Sequence, residues 1–226
     1  MTTIDTQAPG AMSVSASAAR PLPGVAAWIT TTDHKRIGRM YLGVGLLGLL
    51  GVAALGVLLG IDRISTSRNV VEANAVPQLF AAYRVGLVFI VLVPLVLGLA
   101  TAIVPLQVGA RSLAFPRLAA AGFWAWLVGA ALVVGSIAAN GGPGGGDRRM
   151  VGGFMAALIV LLLGLVAGSI SVATTVLTTR APGMNMRRVP LFSFSALVGA
   201  IGLIVALPVL IGTLLYTYLD YRYGGA

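Results

Sequence analysis

Five uninterrupted apolar runs constrain this chain more than any other feature: 41–61, 85–104, 118–139, 151–177 and 197–219. Each is near or above the roughly 20 residues that a helix needs to cross a bilayer. None contains Asp, Glu or Lys. In hydrocarbon the backbone must satisfy its own hydrogen bonds, which leaves only helices and closed barrels. Barrel strands alternate apolar and polar residues, whereas these runs are continuous. The fold class that follows is all-α, a polytopic membrane helical bundle with five transmembrane helices.

Composition excludes the other classes. Charged residues make up 9% of the 226 positions and hydrophobic residues 58%, whereas a soluble domain carries about 25% charged residues. A chain this apolar is not a disordered polymer either. Cysteine is absent, so there is no disulfide or thiolate site. One histidine and six acidic residues are too few for a self-contained metal centre, which draws on several imidazole or carboxylate ligands. No metal site and no catalytic residue is expected. The net charge of +9 would point to nucleic acid in a soluble protein. Here the basic residues lie in short connections between apolar runs, where topology and lipid headgroups account for them. The bilayer is the expected partner, and nucleic acid is not.

Residues 1–27 are rich in Ala, Ser, Thr and Pro without periodicity and read as a disordered tail. They lack the basic start and apolar stretch of a cleaved signal, so the first run is expected to serve as an uncleaved anchor. Residues 28–226 form the membrane domain. Counting Lys and Arg by connection puts nine on one side (Arg20, Lys35, Arg36, Arg39, Arg111, Arg117, Arg180, Arg187, Arg188) and six on the other (Arg63, Arg68, Arg84, Arg148, Arg149, Arg222). Positively charged connections stay inside. The expectation is an integral plasma (inner) membrane protein with a cytoplasmic N-terminus and an external C-terminus.

Within the runs, Gly56-Val-Leu-Leu-Gly60 and Gly164-Leu-Val-Ala-Gly168 have the spacing that lets helix backbones approach. Gly56, Gly60, Gly164 and Gly168 are therefore candidate packing positions. Pro94 and Pro208 fall inside runs and are expected to kink them. The glycine-rich segment 140–147 has no following Gly-Lys-Ser/Thr, so it reads as a flexible extramembrane turn rather than a phosphate loop. Asp33 is placed to cap the helix that follows it. His34, beside Lys35 and Arg36, reads as part of an interfacial segment, because a catalytic imidazole needs a partner base or metal. Tyr83-Arg84 opens the second run, with Arg84 snorkelling to the headgroups. Tyr216, Tyr218, Tyr221 and Tyr223 form an aromatic belt at the membrane surface.

These residues also resemble a family. Trp28-Ile-Thr-Thr-Thr-Asp-His-Lys-Arg-Ile-Gly38 looks like the N-terminal signature of subunit I of haem-copper cytochrome c oxidases. Further blocks agree in order: Gln78-Leu-Phe80, Val104-Pro-Leu-Gln-Val-Gly109 with Ala114-Phe-Pro-Arg117, Arg180-Ala-Pro-Gly-Met184 with Met186 and Pro190, and Asp220-Tyr-Arg222. The resemblance spans about residues 28–225 and implies a membrane bundle built like the first five helices of subunit I.

The departures from the family pattern bear on chemistry. In the family, a low-spin haem ligand follows the Gln-Leu-Phe block in a Met-His-Gly segment. Here that segment is Ala82-Tyr83-Arg84, so Tyr83 stands at the axial position and Arg84 at the Gly that leaves room for the macrocycle. The low-spin haem takes imidazole, although Tyr ligates haem iron in catalases. The copper ligands and the remaining haem ligands lie on later helices of the family. The family's entrance carboxylate in a Gly-Ala-Pro-Asp segment is matched by Gly109-Ala-Arg111-Ser112, so Ser112 replaces the acid and Arg111 stands beside it. A hydroxyl does not hold and release a proton near neutral pH. The family's Asn before the Val-Pro-Leu-Gln block is Thr101 here. The resemblance thus implies a degenerate relative without a proton path or bound cofactor. It points to an accessory or assembly component of a respiratory terminal oxidase, with oxidase subunits as partners. Two alternatives stand beside it. One is a functional fragment of a split haem-copper oxidase in aerobic electron transport, in which case haem would be a cofactor. The other is an independent small channel or transporter, against which stands the scarcity of polar residues in the runs (Thr101, Ser136, Ser169, Ser171, Thr174).

Overall fold

The computed structural model describes residues 24–64, 71–72, 75–143 and 145–224. Residues 1–23 of the tail, with Arg20, and Arg68 lie outside them. The chain divides into two units at Thr30. The first contributes a short helix, α1 (Gly24–Ile29), so residues 24–27 are helical rather than aperiodic. Among the described residues, the second unit holds five helices long and apolar enough to cross a membrane: His34–Ile64, Val76–Val108, Pro116–Ala138, Arg148–Thr178 and Leu191–Tyr223. The first is α2 (His34–Ile64). The second span consists of α3 (Val76–Val85), a π-helical turn (Gly86–Leu92) and α4 (Val93–Val108). The rest are α5 (Pro116–Ala138), α6 (Arg148–Thr178) and α7 (Leu191–Tyr223).

All five helices are longer than, or displaced from, the apolar runs, for one physical reason. An apolar run marks the part of a helix inside hydrocarbon, whereas capping residues and prolines mark where the helix begins. The Asp33 carboxylate accepts the Lys35 amide at 3.0 Å and starts α2 seven residues before its apolar run. Pro77 lies in the first turn of α3, Pro116 in the first turn of α5, and Pro190 caps α7. These are positions where the missing amide hydrogen costs little. Asp147 caps α6 by accepting the Arg149 and Met150 amides at 2.8 and 3.1 Å.

Helix α6 is the centre of the bundle, packed against α5, α7 and α4, while α2 packs chiefly along α4. Tyr41, Phe123, Trp126, Leu161, Leu162 and Leu165 are almost completely buried where these helices meet. The Tyr41 ring stands edge-on to Phe123 at 4.9 Å and lies 5.2 Å from Trp126. Large apolar side chains such as Leu47 and Leu50, each 68% exposed, cover the outside, as a lipid-facing surface requires.

Glycine sets the closest approaches. A Cβ at Gly122 would stand 2.8 Å from the Gly164 carbonyl oxygen, and a Cβ at Gly164 would strike the Trp126 backbone. At Gly129 the obstacle is the Leu161 backbone. Gly38 and Gly98 are paired in the same way between α2 and α4, where a Cβ at Gly38 would stand 2.8 Å from the Gly98 carbonyl oxygen. A Cβ at Gly168 would meet Leu97 Cδ2 at 2.8 Å and the Tyr41 hydroxyl at 3.3 Å, and one at Gly56 would meet the Tyr83 ring at 3.1 Å. Gly60 is different from the expectation for it. Gly60 is exposed, and nothing among the described residues lies within 4 Å of a Cβ there.

The proline at 94 is accommodated by a change of helical register. The Val93 amide bonds to the Val88 carbonyl, five residues back. In that register the Phe89 carbonyl would be served by residue 94, and Pro94 has no amide hydrogen. The Trp126 indole fills the gap, donating from Nε1 to the Phe89 carbonyl oxygen at 3.0 Å. Replacing Trp126 by Phe keeps most of the ring but leaves a carbonyl unpaired within the bundle. The expected loss is about 1–3 kcal/mol of stability, read as a lower unfolding temperature in detergent. Helix α7 continues through Pro208.

The glycine-rich segment is a tight hairpin, with Gly141 opposite Gly146 and Gly142 opposite Gly145. Its glycines serve close approach: Gly141 abuts Met150, and a Cβ at Gly142 would meet Gln78 Cγ at 3.1 Å.

Candidate functional site

Tyr83 and Arg84 lie two turns inside the second span rather than at its opening, because α3 starts at Val76. Phe80, Tyr83 and Arg84 are spaced by three and four residues and share one helical face. The Tyr83 ring is half-buried, stacked near Phe80 at 6.5 Å with an interplanar angle of 23°, and its edge abuts Gly56 of α2. Arg84 is exposed, with its guanidinium carbon 5.4 Å from the centre of the Phe80 ring. Tyr83 is thus held between its own helix and α2, and the cation lies over the remaining side of the face. The adjacent cavity, about 230 Å³, is lined by Gly48, Val52, Leu55, Ala82, Gly86 and Ile90 among others, none with a ligating side-chain atom. The single histidine of the chain, His34, opens α2 at the opposite end of the bundle. These residues do not fit a haem ligated through imidazole at this position.

The connection after α4 is built by backbone geometry. Gly109 ends the helix in the left-handed region at φ 72°, a conformation glycine adopts without a Cβ penalty. The Ala181 amide donates to the Val108 carbonyl at 2.9 Å, and the Ala114 amide donates to the Thr175 hydroxyl at 3.0 Å. Leu113 is buried between them, while Arg111 and Ser112 are exposed. The Ser112 hydroxyl donates to the neighbouring Leu113 carbonyl at 3.3 Å.

Four hydroxyls within the spans bond back to their own helices. Ser136, Ser169, Ser171 and Thr174 each donate to the carbonyl four residues earlier, at 2.8, 2.8, 3.1 and 2.6 Å. Thr101 is buried on α4. Ser193 Oγ donates to Gln107 Oε1 at 2.6 Å, a bond between side chains of α7 and α4. Three buried polar atoms have no hydrogen-bond partner among the described residues: His34 Nε2, the Tyr41 hydroxyl and Gln78 Nε2. His34 and Tyr41 lie two turns apart on α2 and Gln78 lies on α3, and no group of three or more metal-ligating side chains occurs among the described residues.

One cluster escaped the reading of the sequence. Arg148 and Arg149, at the start of α6, meet Tyr218, Tyr221 and Arg222, at the end of α7, around a cavity. Counting charges by side registered these arginines only as topology. The signal available was that an Asp-Arg-Arg helix start and a Tyr-Arg helix end fall on the same side of the membrane.

The arrangement is therefore a subunit I-like helical membrane bundle. Residues 36–226 match the family model described as cytochrome c and quinol oxidase polypeptide I, and the chain belongs to that family. Similar relatives include a putative cytochrome c oxidase subunit 1-beta of Streptomyces avermitilis, 32% identical over 87% of this chain and 38% of the relative. A probable cytochrome c oxidase subunit 1 of Bradyrhizobium diazoefficiens is 34% identical over 88% of this chain and 32% of the relative. A probable cytochrome c oxidase subunit 1-alpha of Streptomyces coelicolor is 31% identical over 91% of this chain and 38% of the relative. The chain spans about a third of the length of these curated relatives.

Proposed function

We propose that this chain is a haem-free, non-catalytic member of its family, acting as an accessory or assembly component of a respiratory terminal oxidase. The observation that carries the reading is the setting of Tyr83. The residue at the family's axial ligand position is a phenol wedged against Gly56 and Phe80, with Arg84 on the same face. Exposure of Arg111 and Ser112, with no carboxylate beside them in Gly109-Ala-Arg111-Ser112, supports the loss of proton input. The hydroxyls of Ser136, Ser169, Ser171 and Thr174, bonded back to their own helices, speak against a channel, since an ion path is normally marked by ionisable or free polar groups.

The test is purification of the tagged full chain from its native membrane in mild detergent. Subunits of a haem-copper oxidase should accompany it, and deletion of the chain should lower the amount of assembled oxidase. Recovery of the chain without oxidase subunits, together with unchanged oxidase on deletion, would remove this reading.

The same reading places the N-terminus in the cytoplasm. Among the described residues, the end of the bundle with His34, Val108 and Leu191 carries Lys35, Arg36, Arg39, Arg111, Arg117, Arg180, Arg187 and Arg188. Native cysteine is absent, so single cysteines report sidedness cleanly. On intact cells a membrane-impermeant maleimide should label Glu72→Cys and spare Asn185→Cys. The reverse pattern would invert the topology.

A further inference from the structure

We propose that the cavity between the start of α6 and the end of α7 binds the phosphate of an anionic phospholipid. The cavity is about 420 Å³ and is lined by Asp147, Arg148, Arg149, Gly152, Tyr218, Tyr221 and Arg222. Three arginines from two helices therefore line one space. The one carboxylate among them, Asp147, is already committed, since its oxygen accepts the Arg149 and Met150 amides. Positive charge remains in excess.

The arginines are held in place by the chain. Arg148 donates from Nη2 to the Tyr221 carbonyl at 3.2 Å, and its guanidinium carbon lies 5.7 Å from the Tyr221 ring centre. That leaves other donors of the fork for a ligand, and arginine forks match phosphate oxygens two at a time. Gly152 lies beside Tyr218, whose Cε2 would stand at an ordinary contact distance of 3.7 Å from a Cβ there. The phenols of Tyr218 and Tyr221 add hydroxyl donors to a wall that is otherwise cationic.

The location selects a lipid over a soluble anion. The cavity is at the ends of two membrane spans, Arg148–Thr178 and Leu191–Tyr223, at the level of the headgroups. Leu215, Tyr218, Leu219 and Arg222 fall at helical spacing on one stripe of α7. Leu215 and Leu219 are exposed, so an apolar track leads from the arginines along the span. A headgroup phosphate at the cavity with its acyl chains on that track satisfies both ends of the stripe, as basic sites beside spans do for anionic lipids.

The test uses the delipidated full chain in detergent, titrated with dioleoyl phosphatidylglycerol, dioleoyl phosphatidylcholine or inorganic phosphate and read by native mass spectrometry. Phosphatidylglycerol should be retained at about tenfold lower concentration than phosphatidylcholine. The Arg148→Gln/Arg222→Gln pair should abolish that preference, while Arg187→Gln/Arg188→Gln, at the other end of the bundle, should leave it intact. Arg222→Gln alone, at an exposed position, should lower the preference if the pair does not fold. Equal retention of the two lipids, equal loss in both arginine pairs, or displacement of the lipid by millimolar inorganic phosphate would overturn the proposal. The last outcome would assign the cavity to a soluble phosphate instead.

Discussion

Gly164→Leu is expected to disrupt the bundle, whereas Gly60→Leu leaves it intact. A side chain at 164 begins on the Trp126 backbone and 2.6 Å from the Gly122 carbonyl oxygen. Backbone cannot swing aside as a rotamer can, so α5 and α6 must separate along the interface that also seats Gly129 against Leu161. Overpacking of this kind costs about 1–3 kcal/mol, and more when backbone has to move. The loss of close helix contact adds to that cost, because in lipid such contact is a main source of association. Gly168→Leu should fall between the two. Its nearest neighbours are the end of the Leu97 side chain and the Tyr41 hydroxyl, which can shift. At Gly60 nothing among the described residues lies within 4 Å, and an exposed substitution of this kind changes stability by about 0.5 kcal/mol or less. Thermal unfolding in one detergent, with all three variants side by side, should order them 164, 168, 60. Equal stability of Gly164→Leu and wild type would mean that α5 and α6 do not approach as closely as their glycines allow.

Purified wild-type protein is expected to show no haem band in a reduced-minus-oxidised visible spectrum and to consume no oxygen. Tyr83→His alone should not change this. The imidazole would be present, but α2 approaches from the Gly56 side and the Arg84 guanidinium lies over Phe80 on the open side of the same face. A planar macrocycle approaching residue 83 meets one or the other. Tyr83→His with Arg84→Gly removes the cation and should admit haem weakly, through a single imidazole, below one haem per chain. The double variant therefore separates two causes: a missing ligand, which His supplies, and an obstructed face, which only Gly clears. A stoichiometric haem signal in the wild type would overturn the haem-free reading. It would put a split oxidase in its place, with Tyr83 as the candidate ligand.

Span number, class and family were legible in the sequence because each rests on a local or ordered pattern. An uncharged run of more than about 20 apolar residues has one stable conformation in hydrocarbon, so five runs became five helices. Helix ends were less legible, since hydropathy marks the lipid boundary and the chain turns elsewhere. The prolines at 77, 116 and 190 and the acids at 33 and 147 carried that information, and they moved Tyr83 and Arg84 from the mouth of the second span to its interior.

The contacts between helices belong to the tertiary structure. GxxxG spacing singles out Gly164 and Gly60 alike, yet only Gly164 has a backbone against it. Gly122, Gly129, Gly38 and Gly98, which set the closest approaches, follow no such spacing, because a partner's position is not written in the helix that receives it. The same is true of Trp126, whose indole answers a carbonyl left open by a proline on another span. It is true again of Arg148 and Arg149, which are far in sequence from Arg222 and share a cavity with it only because the start of α6 and the end of α7 come together. What the sequence determined by itself was the solvent each segment requires. Which side chains meet across helices was decided by packing, because helices in lipid gain little from burying apolar surface and associate where their shapes and hydrogen bonds match.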